Sequence, residues 1–262
     1  MTISGGTPIG CDDRGSGPAL VLLHPFPLTR TIWAGIADAL AARRRVIAVD
    51  ARGFGESPAA GPFTIADLAD DLAALLDRLD VARATVLGMS MGGYAALAFA
   101  ARHPERLSAL VLADTRAAAD SAETRAGRAA ALAAIAGPGP ATYLAASLPR
   151  LLSPQAPPAL VAHVTARAEH RAASLSAGVV ALRDRPDRSG ELGAIACPTL
   201  VVCGALDQVT PATEMKQMSD AIAGARFVPL AGAGHLAHVE APGAFLHAVG
   251  TFLDATAERQ DR

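Results

Sequence analysis

A mostly parallel β-sheet flanked by helices, an α/β fold, is predicted by three features of this sequence. Short apolar runs rich in Val, Leu and Ala recur along the chain, helical patterns stand between them, and Gly, Pro or charged residues bound the runs. The apolarity of the runs is continuous rather than alternating, which belongs to strands covered on both faces, as in a parallel sheet.

In chain order, Met1 to Gly10 carries neither a positively charged start nor an apolar stretch, so no signal peptide is expected and a cytoplasmic location is the default. Asp13-Arg14-Gly15-Ser16-Gly17-Pro18 is dense in turn formers and is expected to join an N-terminal antiparallel strand to the first long buried strand. The buried runs are Ala19 to His24, Arg45 to Asp50, Ala84 to Met89, Ala109 to Asp114, Thr199 to Gly204 and Arg226 to Leu230. All are strand-sized and far short of a membrane span, so no membrane association is expected. Thr31 to Arg43, Thr64 to Leu79 and Gly92 to Arg102 read as helices; the second places Leu68, Leu72, Leu75, Leu76 and Leu79 on one face. Pro211 to Ala223 and Pro242 to Leu253 follow, each with Pro near its start, where a missing N–H costs little.

Arg116 to about Gly190 breaks the alternation. It is rich in Ala and Arg, punctuated by Pro, and contains no convincing strand; helices around Ser121 to Ala136, Ala141 to Leu151 and Ala159 to Arg183 fit it best. The predicted organisation is a core of residues 1–115 and 191–262 with a helical cap inserted at 116–190. A chain of 262 residues, 51% of them apolar, can bury one sizeable core. The formal charge of −2 excludes the clustered basic excess that nucleic-acid binding needs. Cys11, Cys197 and Cys203 are odd in number and irregularly spaced, so neither a disulfide framework nor a zinc site is implied, and no metal is expected.

Gly88-Met89-Ser90-Met91-Gly92 fits G-x-S-x-G between a predicted strand and a predicted helix, the context that pattern requires. The sharp turn leaves Ser90 strained, needs small neighbours at Gly88 and Gly92, and lifts the hydroxyl to a helix N-terminus that favours developing negative charge. A serine hydroxyl needs a base. His235, in Gly232-Ala233-Gly234-His235, follows the last strand, and Asp207 follows the strand Thr199 to Gly204. Ser90, Asp207 and His235 thus arrive at the carboxyl end of the sheet, where ligands of open α/β sheets bind, in the chain order nucleophile, acid, base. An oxyanion hole needs two N–H donors. Met91, after the nucleophile, is one; in Pro25-Phe26-Pro27 only Phe26 can donate and supplies the other.

With His24-Pro25-Phe26-Pro27, Asp50-Ala51-Arg52-Gly53-Phe54-Gly55-Glu56-Ser57, Gly88 to Gly92, Gly204 to Asp207 and Gly234-His235…Glu240-Ala241-Pro242 in order, the chain resembles the α/β-hydrolase superfamily. Within it the chain is similar to 3-oxoadipate enol-lactonases and the esterases grouped with them. The match runs from about Asp12 to Leu253 apart from the helical insertion; Pro25 departs from the Gly common in the family. The resemblance implies an α/β-hydrolase fold with an eight-stranded, mostly parallel sheet. It also implies no cofactor, and a small-molecule ester or lactone as substrate.

Rival readings stand beside the main one. His238, three residues after His235, could be the base instead, and Asp114, after the strand Ala109 to Ala113, could be the acid. Asp50, Arg52 and Glu56 read as a structural hydrogen-bonded network, and His24 as an organiser of the oxyanion loop. Phe26, Met91 and Trp33 are candidates to line the acyl pocket, although Trp33 also reads as a core anchor. Among Arg125, Arg128, Arg150, Arg167 and Arg171, one could bind a substrate carboxylate, or all could form a solvated cap surface. The expected reaction is hydrolysis through an acyl-enzyme, in a small to moderate apolar pocket under the cap. The alternatives are cofactor-free perhydrolysis of the haloperoxidase type at the same triad, and a non-catalytic binding protein of this fold.

Overall fold

The computed structural model describes residues 8–58 and 61–260; the N-terminal reading above rests largely on residues 1–7, which lie outside the described residues. The predicted runs form strands: β1 (Cys11–Arg14), β2 (Ala19–Leu23), β3 (Arg45–Val49), β4 (Ala84–Met89), β5 (Leu107–Ala113), β6 (Thr199–Gly204) and β7 (Arg226–Leu230). They make one sheet in the order β1-β3-β2-β4-β5-β6-β7. Only β1, paired with β3, is antiparallel. Central β4 is buried throughout, as continuous apolarity requires. Pro229 falls in β7 at the sheet edge, where the missing N–H interrupts no ladder on its open side. Among the described residues the sheet has seven strands rather than eight. The apolar runs together with the N-terminal strand number seven, and the eighth was implied by resemblance alone.

The helices outside the 116–190 segment are α1 (Ala34–Ala41), α2 (Ile65–Arg78), α3 (Met91–Arg102), α8 (Ala212–Asp220), α9 (Ala237–Glu240) and α10 (Pro242–Gln260). Thr64 and Asp67 close a capping box at the start of α2. Its leucine face is buried, and α2 packs on α3, while α1 packs on α10. Nearly every residue of α3 is buried, which its Gly and Ala content permits by close approach to the strands.

Between β5 and β6 lie α4 (Ala122–Ala136), α5 (Pro140–Ser147), α6 (Pro158–Thr165) and α7 (Ala172–Arg183). The stretch expected to be helical from Ala159 to Arg183 is broken at residues 166–171, because that segment pairs with the loop after β2 through an isolated Leu28–Ala168 bridge. Helix α4 buries only Ile135. The base of the segment is held by Asp120, which pairs with the buried Arg185 and with Arg128, and the Arg185 guanidinium lies 4.2 Å over the Tyr94 ring of α3. Among the described residues no helix is long and apolar enough to cross a membrane.

Candidate active site

Ser90 sits between β4 and α3 with φ 51° and ψ −113°, a left-handed conformation for a non-glycine residue. The turn is enforced by packing. A Cβ on Gly88 would come within 2.2 Å of the Gly92 carbonyl oxygen, and one on Gly92 within 2.1 Å of that of Leu23. The Ser90 N–H donates to the Ala113 carbonyl (3.0 Å), and the Ser90 carbonyl accepts from the Thr115 hydroxyl (2.8 Å). The strained residue is therefore fixed from β5 as well as from its own helix.

His235 reaches this hydroxyl, with Nε2 2.9 Å from Ser90 Oγ and Nδ1 2.8 Å from Asp207 Oδ2. The loops carrying the two residues are stitched together. Ala205 and Leu206 donate to the Leu230 and Ala233 carbonyls (2.8 Å each), and a Cβ on Gly204 would come within 2.0 Å of the Gly234 carbonyl oxygen. Glu240 fixes the histidine loop from below, accepting from the Gly234 N–H (2.8 Å) and the Ser153 N–H (2.9 Å). Asp207 also accepts from the N–H groups of Val209 (2.7 Å) and Thr210 (3.0 Å) and from the Thr210 hydroxyl (2.5 Å). Burial acts to raise its carboxyl, but the His235 charge and hydrogen bond and the Thr210 donors outweigh it and hold Asp207 below the usual carboxylate range.

The rivals fall elsewhere. His238 is fully buried, its ring 4.5 Å from that of Trp33 and 5.9 Å from that of Phe245, and burial drives its pKa down to about 3. Neither of its ring nitrogens has a hydrogen-bond partner among the described residues. Asp114 accepts from the Gly204 N–H (2.7 Å) and has no hydrogen bond to His235 among the described residues. His24 accepts from the Ala51 N–H at Nε2 (3.0 Å), which assigns its proton to Nδ1, 3.1 Å from the Pro25 carbonyl. Burial keeps this imidazole below its usual pKa, consistent with an ordering role.

The cleft above Ser90 and His235 is bounded by Phe26, Tyr94, Tyr143, Leu182 and Val209, with Glu123, Arg128, Arg150 and Gln208 on its walls. It measures about 1730 Å³ counting its open mouth, and its walls carry more polar groups than the small to moderate apolar pocket expected from the sequence. Of the three candidate lining residues only Phe26 faces it. Trp33 is wholly buried against His238, and the Met91 side chain borders a separate cavity beside Leu23, His24 and Ala95. The backbone of Met91 nevertheless opens α3, where an N–H has no partner within the helix. The Phe26 N–H has no acceptor among the described residues.

The arginines separate as well. Arg167 donates to the Thr31 and His163 carbonyls, and Arg171 to those of Gly53 and Gly55, so both are structural ties. Arg125 does not border the cleft, whereas Arg128 and Arg150 do. Sequence reading passed over Thr210 and Glu240. Asp207-x-x-Thr210 carried a usable signal, since an Asp followed by such a turn accepts from the N–H groups two and three residues on. Glu240 carried no signal beyond its place in a motif. Among the described residues no group of three or more His, Cys, Asp or Glu could hold a metal ion.

The profile of the alpha/beta hydrolase fold family matches residues 18–242. The pimeloyl-[acyl-carrier protein] methyl ester esterase of Aeromonas hydrophila is 31% identical over 250 residues, covering 91% of this chain and 96% of its own. The 3-oxoadipate enol-lactonase 2 of Acinetobacter baylyi is 30% identical, with 88% and 87% covered. A thermophilic esterase from Thermogutta terrifontis, solved with malate bound, superposes with a TM-score of 0.90 at 34% identity over 95% of this chain and 93% of its own.

Proposed function

The chain belongs to the alpha/beta hydrolase fold family, and from that premise we propose that it hydrolyses a carboxylic ester or lactone through an acyl-enzyme on Ser90. The observation that carries this reading is the hydrogen-bonded chain from Ser90 Oγ through His235 to Asp207. As Ser90 attacks the carbonyl carbon, His235 Nε2 takes the hydroxyl proton, and Asp207 stabilises the imidazolium while holding the tautomer with its proton on Nδ1. The Phe26 and Met91 N–H groups receive the oxyanion. His235 returns the proton to the leaving alcohol, then deprotonates a water that attacks the acyl carbon. The acid departs and the Ser90 hydroxyl is restored.

In this reading residues 116–190 act as a cap, with α4 and α5 contributing the wall that faces the acyl group. Arg128 on that wall is engaged by Asp120, whereas Arg150 has no ion pair or hydrogen bond among the described residues. A free guanidinium in a cleft favours substrates bearing a carboxylate. The enol-lactonase relative and the malate bound in the thermophilic esterase agree with that preference.

The test compares wild type and Ser90→Ala on p-nitrophenyl acetate, γ-lactones and an ester pair differing only in a terminal carboxylate. It adds labelling by a fluorophosphonate. Ser90→Ala is expected to lower kcat by about 10⁴-fold or more with the circular dichroism spectrum unchanged. Near-wild-type turnover by that variant sinks the mechanism. Equal rates on the matched esters would assign the cleft to neutral substrates.

A further inference from the structure

The break between α6 and α7 is where the helical segment grips the oxyanion loop. The Thr29 N–H donates to the Arg167 carbonyl (3.1 Å), the Glu169 N–H to the Pro27 carbonyl (2.8 Å), and Leu28 pairs with Ala168 between them. These bonds begin one residue after Phe26. The loop supplies little order of its own. Among the described residues its one internal backbone bond runs from the Leu28 N–H to the Pro25 carbonyl (2.9 Å).

The Glu169 carboxylate, buried with its residue, closes the grip. It accepts from the N–H groups of His170 (2.9 Å), Arg171 (2.8 Å) and Gly55 (3.1 Å), and pairs with the Arg171 guanidinium (2.7 Å). Gly55 lies in a turn that is itself braced. Asp50 there accepts from the Arg30 N–H (2.7 Å) and the Glu56 N–H (2.9 Å) and pairs with the Arg30 guanidinium. One residue of the helical segment therefore ties two core loops together. The Phe26 ring is held from the same side: it meets Phe54 edge-on at 6.0 Å, and a Cβ on Gly178 of α7 would come within 2.7 Å of it.

We propose that Glu169 is a positioning residue for the hydrolysis: it locks residues 166–171 as a splint along Pro27–Thr29 and so holds the Phe26 N–H where the oxyanion forms. The proposal rests on the reading of Ser90 as nucleophile and Phe26 as donor. Its physical content is that an oxyanion donor works by being oriented before charge develops, and small misplacements are costly. A carboxylate is expensive to bury, and here the bonds that satisfy it are the ones that fix the loop. The segment that shapes the cleft would thereby also set the rate of the chemical step.

The experiment measures kcat and KM for p-nitrophenyl acetate, and the rate and stoichiometry of fluorophosphonate labelling, for wild type, Glu169→Ala, Glu169→Gln and Gly178→Ala, each well below its Tm. Glu169→Ala is expected to lower kcat roughly 10- to 100-fold and slow labelling in parallel, with KM within about threefold and labelling still complete. Glu169→Gln, whose single amide oxygen can replace one carboxylate oxygen but not both, is expected to lose less, about threefold to tenfold in kcat, and it decides the matter should Glu169→Ala fail to fold. Gly178→Ala, which displaces the Phe26 ring without touching the carboxylate, lowers kcat too and tests the Phe26 half of the proposal. Fully labelled, folded Glu169→Ala with kcat within twofold of wild type overturns the proposal, as does a loss confined to Tm or KM. A wild type that neither labels nor turns over instead overturns the nucleophile assignment beneath it.

Discussion

Asp114 and Asp207 stand just past the carboxyl ends of neighbouring strands, β5 and β6, and both are buried. From sequence either could be the acid that serves His235. Their surroundings push the two carboxyls in opposite directions. Asp207 has three donors in its own turn, the Val209 and Thr210 N–H groups and the Thr210 hydroxyl, and His235 beyond them. It is held below the usual carboxylate range although burial pushes the other way. Asp114, with φ 41°, accepts from the Gly204 N–H and faces the negative charge of Asp207; burial first, and that charge second, raise its carboxyl well above the usual range. Burial sets the default direction for any carboxyl, and the local donors and cations decide whether it is reversed. Two buried carboxyls at one sheet edge are therefore shifted in opposite directions, and the one held low is the one suited to stabilise an imidazolium.

The sharpest way to break the contrast is Asp207→Asn. The amide retains an oxygen for the Thr210 and Val209 N–H groups, so the loop should keep its shape. Its NH₂ would donate to His235 Nδ1, placing the ring proton on Nε2, where it cannot accept from Ser90. Ester hydrolysis should fall by about 10³- to 10⁴-fold with Tm changed little. Substantial activity in this variant, lost only in the double variant with Asp114→Asn, would make Asp114 a working substitute and end the distinction.

The distinction between the two acids also marks how far the sequence could be read. The strand Ala84 to Met89, the glycines around Ser90 and the order Ser90, Asp207, His235 were legible because each is local: a run, a turn that excludes side chains, a loop after a strand. Features that depend on two distant segments meeting were not. Residues 166–171 carry a helix-compatible sequence and break only because the loop after β2 offers them a pairing edge. Trp33 was ambiguous between core and pocket until His238 was seen stacked on it. Met91 opens α3 directly after Ser90, but it borders a cavity other than the cleft, a placement that no local pattern carries. The arginines of the helical segment could not be sorted from sequence because some of their acceptors, the carbonyls of Thr31, Gly53 and Gly55, lie more than a hundred residues away.

Thr210 tests the donor half of the comparison at smaller scale. Its hydroxyl gives Asp207 a donor that Asp114 lacks, and it lies 3.3 Å from His235 Nδ1. Thr210→Val is nearly isosteric and removes that donor alone. A hydrogen bond to a charged group is worth about 1.5–3 kcal/mol, so kcat/KM should drop roughly 10- to 100-fold, and Thr210→Ser should restore it. An unchanged kcat/KM in the valine variant would leave the two N–H donors and His235 sufficient to hold the carboxylate.

Asp114→Asn carries the smallest effect on activity and the cleanest test of protonation. An acid whose pKa is raised in the folded chain keeps its proton where the unfolded chain has lost it. It therefore subtracts stability increasingly as pH climbs above the ordinary aspartate range near 4, until the folded pKa is passed. Asparagine keeps an oxygen for the Gly204 N–H and remains neutral at every pH, so it removes this penalty. Its Tm should match wild type near pH 4.5 and exceed it by a few degrees at pH 8, taking roughly 2–4 °C per kcal/mol for a chain of this size. Because Asp114 has no hydrogen bond to Ser90 or His235 among the described residues, kcat/KM should stay within about twofold. A Tm difference flat across that pH range, or a large loss of activity, would mean that Asp114 carries a charge beside Asp207, and the two strand ends would no longer differ in kind.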